Sequence, residues 1–191
     1  DAGPFAANAD GTILGEGLGI FVLKRLEDAE RDGDQVYAVI RGFGASSDGK
    51  GEAIYAPSPP GQMKALRRAY EAADVTPETI DLIEAHGTGT KAGDAAEVKS
   101  LMGVFGASPT GPWCALGSVK SQIGHTKASA GAAGLMKIAL ALHHKVLPPT
   151  IKVEKPAEVL AREDSPFYVN TVKRPWLGKA AHPRRAGVSA F

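Results

Sequence analysis

Two kinds of apolar periodicity alternate along the chain. Residues 12–26 (TILGEGLGIFVLKRL) form a glycine-interrupted apolar run that ends in Ile20, Phe21, Val22 and Leu23. A β-branched and aromatic run without polar alternation predicts a strand buried on both faces. Glu27 to Gly33 is charged and predicts a turn or short helix, and residues 36–46 (VYAVIRGFGAS) predict a second strand, antiparallel to the first. The stretch from Ser47 to Pro60, rich in Gly, Ser and Pro, is the best candidate for an internal boundary.

Beyond that boundary helical and strand patterns take turns. Gly61 to Ala73 predicts a helix, with Pro59-Pro60 at its start and Met63, Leu66, Tyr70 and Ala73 on one face. Ile80 to Ala85 is a short apolar strand running into His86-Gly87-Thr88-Gly89-Thr90. From about Asp94 to Phe105, Val98, Leu101, Met102 and Phe105 recur at the spacing of one buried helical stripe. Residues 114–119 (CALGSV) predict a strand leading into Lys120-Ser121-Gln122-Ile123-Gly124-His125. A long helix follows from about Thr126 to His143, and Pro148-Pro149 ends it. Ala128 to Gly134 are all small, which lets backbones approach; with its apolar character all round, this helix is expected between two sheets. Short strands near residues 167–172 and 185–191 complete the pattern, and the alternation argues for a layered α/β fold.

Composition bounds the function classes. A chain of 191 residues suffices for one domain with a real core and is short for two. Net charge is +1, with no run of Lys or Arg, so nothing marks a nucleic-acid or membrane surface. No uninterrupted apolar stretch reaches the roughly 18 residues of a membrane span. The single cysteine, Cys114, allows no internal disulfide and reads as an intracellular, cytoplasmic context. The start (Asp1-Ala2-Gly3-Pro4-Phe5) has neither initiator Met nor signal pattern, and the end stops in a strand-like run; both are expected to be cuts within a longer chain.

Candidate chemistry sits at two strand ends. In Glu84-Ala85-His86-Gly87-Thr88-Gly89-Thr90, a histidine is flanked by glycines that admit a ligand and threonines that offer hydroxyls. A strand-end histidine alone is as often structural as functional. Asp94 and Glu97 follow in what is expected to be the first turn of a helix, where the dipole alone would favour carboxylates. In the second segment His125 precedes the small-residue helix; at a helix N-terminus an imidazole is held neutral and can donate N–H to a developing oxyanion. Spacing alone does not place Lys120. Gly15-Glu16-Gly17-Leu18-Gly19 lacks the spacing of a dinucleotide loop, and no G-x-S-x-G elbow occurs. His143-His144 reads as a solvated cationic cap rather than a metal site, and Cys114 as a small buried hydrophobe.

Together these motifs resemble the β-ketoacyl synthase family of the thiolase superfamily. The resemblance is carried by His86-Gly87-Thr88-Gly89-Thr90 with Asp94 and Glu97, then Lys120-x-x-x-Gly124-His125 and its Ala/Gly-rich helix. Asp10-Gly11-Thr12-x-x-Gly15-Glu16-Gly17 is similar to a strand entry in that family's first half. Ala53-Ile54-Tyr55-Ala56-Pro57, residues 143–150 and Ser165-Pro166-Phe167-Tyr168 look most like iterative multienzymes, polyunsaturated fatty acid and enediyne polyketide synthases. The resemblance implies a thiolase-like α/β/α/β/α sandwich, with residues 1–48 as the last hairpin of the N-terminal half and 49–191 as most of the C-terminal half. It implies decarboxylative Claisen condensation with His86, His125 and Lys120 as catalytic residues, Lys120 ordering His86 with Glu97 as partner. Thr88 and Thr90 would contact a phosphopantetheine arm, with Asp94 and Glu97 in support. The family's cysteine nucleophile is absent from this chain, and Cys114 does not match it. No cofactor or metal is implied to bind directly. The implied partners are an acyl carrier protein, the missing half-domain and a second copy of the parent. Three other readings stay open: a non-catalytic protein of the chain-length-factor type, disfavoured by the intact histidines and lysine; a coenzyme A-dependent thiolase, which pairs one histidine with a second cysteine; and, for this polypeptide alone, a structural fragment without activity.

Overall fold

The computed structural model describes residues 3–49 and 57–191, so the resemblance at Ala53–Ala56 lies outside the described residues. In chain order the helices are α1 (Leu26–Asp32), α2 (Pro59–Ala73), α3 (Lys91–Phe105), α4 (Lys120–Ile123) and α5 (Ala130–His144). The strands are β1 (Leu82–Glu84), β2 (Cys114–Gly117), β3 (Val146–Leu147), β4 (Phe167–Val169), β5 (Arg174–Pro175) and β6 (Ala186–Val188). A four-stranded sheet runs β4-β2-β1-β6, and each of its neighbouring pairs is parallel. β3 and β5 form a separate antiparallel ribbon.

The short apolar strands are explained by cover on both faces. Ile83 and Leu116 pack with Val98, Leu101 and Phe105 of α3, and Leu66 and Tyr70 of α2 join that cluster. On the other face Leu82 and Ala115 pack with Ile138 and Ala141 of α5, Leu147 and Trp176. A sheet sandwiched in this way needs no polar alternation. Because the strands are parallel, the loops after β1 and β2 emerge at the same edge, and these loops hold the two histidine segments.

Cap chemistry moves three helix boundaries from where periodicity set them. α2 starts at Pro59 because the Ser58 side chain accepts from the Gly61 N–H. α3 starts at Lys91 because Thr90 caps it, accepting from Gly93; Asp94 is therefore in the first turn and Glu97 in the second. α5 starts at Ala130, after a 3₁₀ turn over Lys127–Ser129, so His125 does not sit at its N-terminus.

The predicted hairpin is the main departure. Neither residues 20–26 nor residues 36–46 form a strand, and the one ladder contact of the first run is a parallel bridge from Leu14 to His125. Val22 is 94% exposed and Phe43 80%. The physical reason is the lack of strand partners: among the described residues no strand pairs with either segment, so no ladder forms, although Gly42 and Gly44 lie directly against the backbone of α2. Both segments instead line a cavity of about 860 Å³ against Leu135, Met136, Ala139 and Leu140 of α5. α5 accordingly buries one stripe, Ala130, Gly134, Ile138 and Ala141, rather than its whole circumference.

Glycines of the early run serve close packing. A Cβ on Gly15 would lie 2.0 Å from the Ile123 carbonyl oxygen, and one on Gly17 3.2 Å from Thr126. The segment thus presses directly on the loop that carries His125.

Candidate active site

The site is built from peptide groups as much as from side chains. Directly after β1, the His86 N–H donates to Glu97 Oε1 at 2.8 Å and the Gly87 N–H to Glu97 Oε2 at 2.8 Å. Asp94 does the same one step on, accepting from Gly89 at 3.1 Å and from Phe5 at 2.8 Å. Both carboxylates are buried, so their function here is to grip the loop, which helix-start electrostatics alone did not reveal. Burial pushes the Glu97 carboxyl up to about 7, against the two N–H bonds that favour its charged form. Gly87 is obligatory: its φ is +47°, and a Cβ would lie 2.7 Å from that of Ser118.

Lys120 opens α4 and is only 4% exposed, which excludes the ordinary solvated lysine. Its Nζ donates to the His86 carbonyl at 2.5 Å. Glu97 is therefore not its direct partner. The two residues hold opposite ends of His86, Glu97 at its N–H and Lys120 at its C=O. Burial pulls the Lys120 ammonium below its usual range, and the carboxylates of Glu84, Glu97 and Asp94 oppose that shift.

His125 is fixed by its backbone, donating to Ile13 at 2.7 Å and accepting from Gly15 at 3.1 Å. The Lys127 N–H donates to its Nδ1 at 3.0 Å. The ring is held neutral, but not by a helix dipole: desolvation lowers its pKa, helped by the charges of Lys120 and Lys127. His86 is pushed down further, to about 4, by burial, Lys120 and His125. Its Nδ1 accepts from the Phe191 N–H at 3.4 Å. The two imidazoles meet edge to face, with centroids 5.2 Å apart and planes at 80°. With each Nδ1 accepting from a main-chain N–H, the neutral ring carries its proton on Nε2. We expect nitrogen NMR of the intact parent to show His86 as a neutral Nε2–H tautomer from pH 5 to 8, and His125 to titrate below the ordinary histidine value with its neutral form the same tautomer. A His86 titration centred near the ordinary histidine value would contradict the arrangement.

Thr88 and Thr90 sit half-buried beside His86, their hydroxyl oxygens 2.9 Å apart. Thr90 also caps α3, so part of its hydrogen-bonding capacity is committed locally. Cys114 is fully buried at the opposite end of its strand from this loop edge, and burial pushes its thiol well above its ordinary value; it behaves as a hydrophobe. His143 and His144 end α5, the His143 ring lying tilted against Tyr37 with centroids 4.8 Å apart, far along the helix from the paired rings.

Sequence reasoning missed Glu84 and Ser118. Glu84 is buried at the end of β1, a charge in an otherwise apolar run, and that pattern is the signal that could have found it. Ser118 Oγ bonds the carbonyls of His86 and Gly87.

A parallel sheet covered by helices on both faces, with two neutral imidazoles and a buried lysine at the carboxyl ends of its central strands, defines a thiolase-like condensing-enzyme architecture. The chain belongs to the β-ketoacyl synthase family: residues 37–154 match that family's C-terminal domain and residues 1–29 its N-terminal domain. It is 48% identical over 187 residues, 95% of its length, to one of the subunits of the polyunsaturated fatty acid synthase of Thraustochytrium. It is also 48% identical over 188 residues, 98% of its length, to polyketide synthase PksL of Bacillus subtilis. Among solved structures it superposes over its full length on the ketosynthase from module 6 of the bacillaene synthase of Bacillus subtilis 168, with TM-score 0.94 and 47% identity. The chain spans 7% and 4% of those two synthase chains and 34% of that ketosynthase. Among the described residues no helix is long and apolar enough to cross a membrane.

Proposed function

We propose that this chain supplies the histidine–lysine part of a β-ketoacyl-[acyl-carrier-protein] synthase site, working in the cytoplasm within a larger polyketide or fatty acid synthase. The observation that carries the reading is the pair of neutral imidazoles 5.2 Å apart. An acyl group is first held as a thioester on a cysteine contributed from outside these residues. In the malonyl thioester the bond from C2 to the free carboxylate then breaks and CO₂ leaves. The electron pair moves into an enolate whose oxygen accepts the Nε2–H groups of His86 and His125. C2 attacks the acyl carbon, the new carbon–carbon bond forms, and the cysteine leaves as thiolate.

Lys120 acts on His86 through its carbonyl and is a positioning residue, while Asp94 and Glu97 hold the loop. In this reading Thr88 and Thr90, half-buried in the loop that follows His86, contact the phosphopantetheine arm on which substrates arrive; the partner is an acyl carrier protein and no cofactor is bound directly. The reading includes a division in which residues 1–48 close the first half-domain and 49–191 form most of the second. The family matches meet between residues 29 and 37, so residues 37–46 fall within the C-terminal match, earlier than the division at 48. Burial of the exposed apolar segments by the remaining half and by a second copy of the parent fits the same picture. The chain alone, without the nucleophile, is inactive. The test is CO₂ release from malonyl carrier protein by the intact parent; release at the uncatalysed rate refutes the reading.

A further inference from the structure

We propose that Glu84 and Lys137 form a positioning pair that sets the contact between Lys120 and His86, and through it the decarboxylation step, without touching substrate. This rests on the condensing function proposed above. Glu84 ends β1 two residues before His86 and is 1% exposed. Its Oε1 accepts the Val119 N–H at 2.5 Å, on the residue directly before Lys120. Its Oε2 pairs with Lys137 Nζ of α5 at 2.6 Å. One carboxylate thus ties together the strand that delivers His86, the turn that launches Lys120 and the helix behind both.

The helix comes close enough for this only because Gly134 stands one turn before Lys137. A Cβ there would lie 3.1 Å from Glu84 Cγ. Electrostatics work in the same direction. Burial alone would push the Glu84 carboxyl up, and the Lys137 ammonium and Val119 N–H oppose that. An ionised Glu84 is in turn foremost among the carboxylates that favour the charged form of buried Lys120. Removing Lys137 leaves an unpaired buried carboxylate, whose relief is to take up a proton or shift the turn. Either outcome loosens the Nζ contact to the His86 carbonyl.

The test uses the intact ketosynthase with Lys137→Met, Lys137→Arg, Glu84→Gln and the double variant Glu84→Gln/Lys137→Met. Two half-reactions are read separately: single-turnover acylation of the nucleophile and CO₂ release from malonyl carrier protein. Lys137→Met is expected to lose on the order of 10- to 100-fold in CO₂ release, the effect of a misplaced catalytic group, with acylation within about two-fold of wild type. Lys137→Arg restores most of the loss, and the double variant is no worse than the more impaired single one. If Lys137→Met fails to fold, Glu84→Gln carries the same expectation, because its amide oxygen still accepts from Val119. Both half-reactions falling together, CO₂ release unchanged in the variants, or losses that add in the double variant would overturn the inference. A wild-type enzyme that releases no CO₂ removes the proposed function first, and this inference with it.

Discussion

In the intact ketosynthase, His125→Ala is expected to lower CO₂ release from malonyl carrier protein by on the order of 100- to 1000-fold, the usual cost of one oxyanion donor. The loss belongs to chemistry rather than folding. What fixes the His125 loop is main chain: its N–H to Ile13, its C=O to Gly15, and the pressure of Gly15 against Ile123. Alanine keeps all three and removes the ring together with the bond its Nδ1 accepts from the N–H of exposed Lys127. The melting temperature is therefore expected to move little. His86→Ala is expected to cost a similar factor, and the double variant much less than the product, since the two rings act on one oxygen. Both rings are held below the ordinary histidine pKa, His86 at about 4, so titration of His86 is expected to leave the rate of this step unchanged from pH 6 to 8. Near-wild-type CO₂ release from His125→Ala, measured with saturating malonyl carrier protein, would remove the oxyanion role.

How far the sequence could be read depended on how local each cause was. β1 and β2 were legible because each is an apolar run buried on both faces by its own neighbours, while β4 and β6, at the edges of the sheet, are only partly buried and were marked by short apolar runs alone. The stripe of Val98, Leu101 and Phe105 gave α3 for the same reason, although its first turn depended on the Thr90 cap. The two histidine segments were legible as motifs, and their meeting follows from the parallel pairing of β1 with β2, which puts both loops at one edge. What failed was whatever required partners outside the segment. The runs ending at Leu23 and Ser46 have strand composition, but composition supplies no ladder, and among the described residues they pair with no strand. The helix dipole assigned to His125 failed because a 3₁₀ turn with Lys127 at φ +54° intervenes, a detail that small-residue spacing does not encode. The role of Glu84 was not legible because its partners, Val119 and Lys137, lie 35 and 53 residues away.

Glu97→Ala is expected to destabilise the intact ketosynthase by about 2–6 kcal/mol, from two buried donors at about 1–3 kcal/mol each. Both carboxylate oxygens are occupied by main-chain N–H groups, and the residue lies in a space closed to water, so no solvent molecule stands ready to replace them. Glu97→Gln keeps one accepting oxygen and turns an N–H₂ toward the other donor, so its cost is expected to be intermediate. The pH dependence separates this account from simple loss of packing. The folded-state carboxyl lies near 7, above its ordinary value of 4.5, so the native state holds more protons than the unfolded chain between those values. The stability it contributes is full below the unfolded pKa and declines as pH rises through 7. His86 acts in the opposite sense between about 6.5 and 4, but it is common to both proteins and cancels in the comparison. The stability gap between wild type and Glu97→Gln should therefore be wider at pH 5 than at pH 8 in denaturant titrations. A gap independent of pH would mean that the carboxyl is ionised throughout. An alanine variant that melts with the wild type would mean that the His86 and Gly87 amides have found another acceptor, and the clamp that aims the first imidazole would then lie elsewhere.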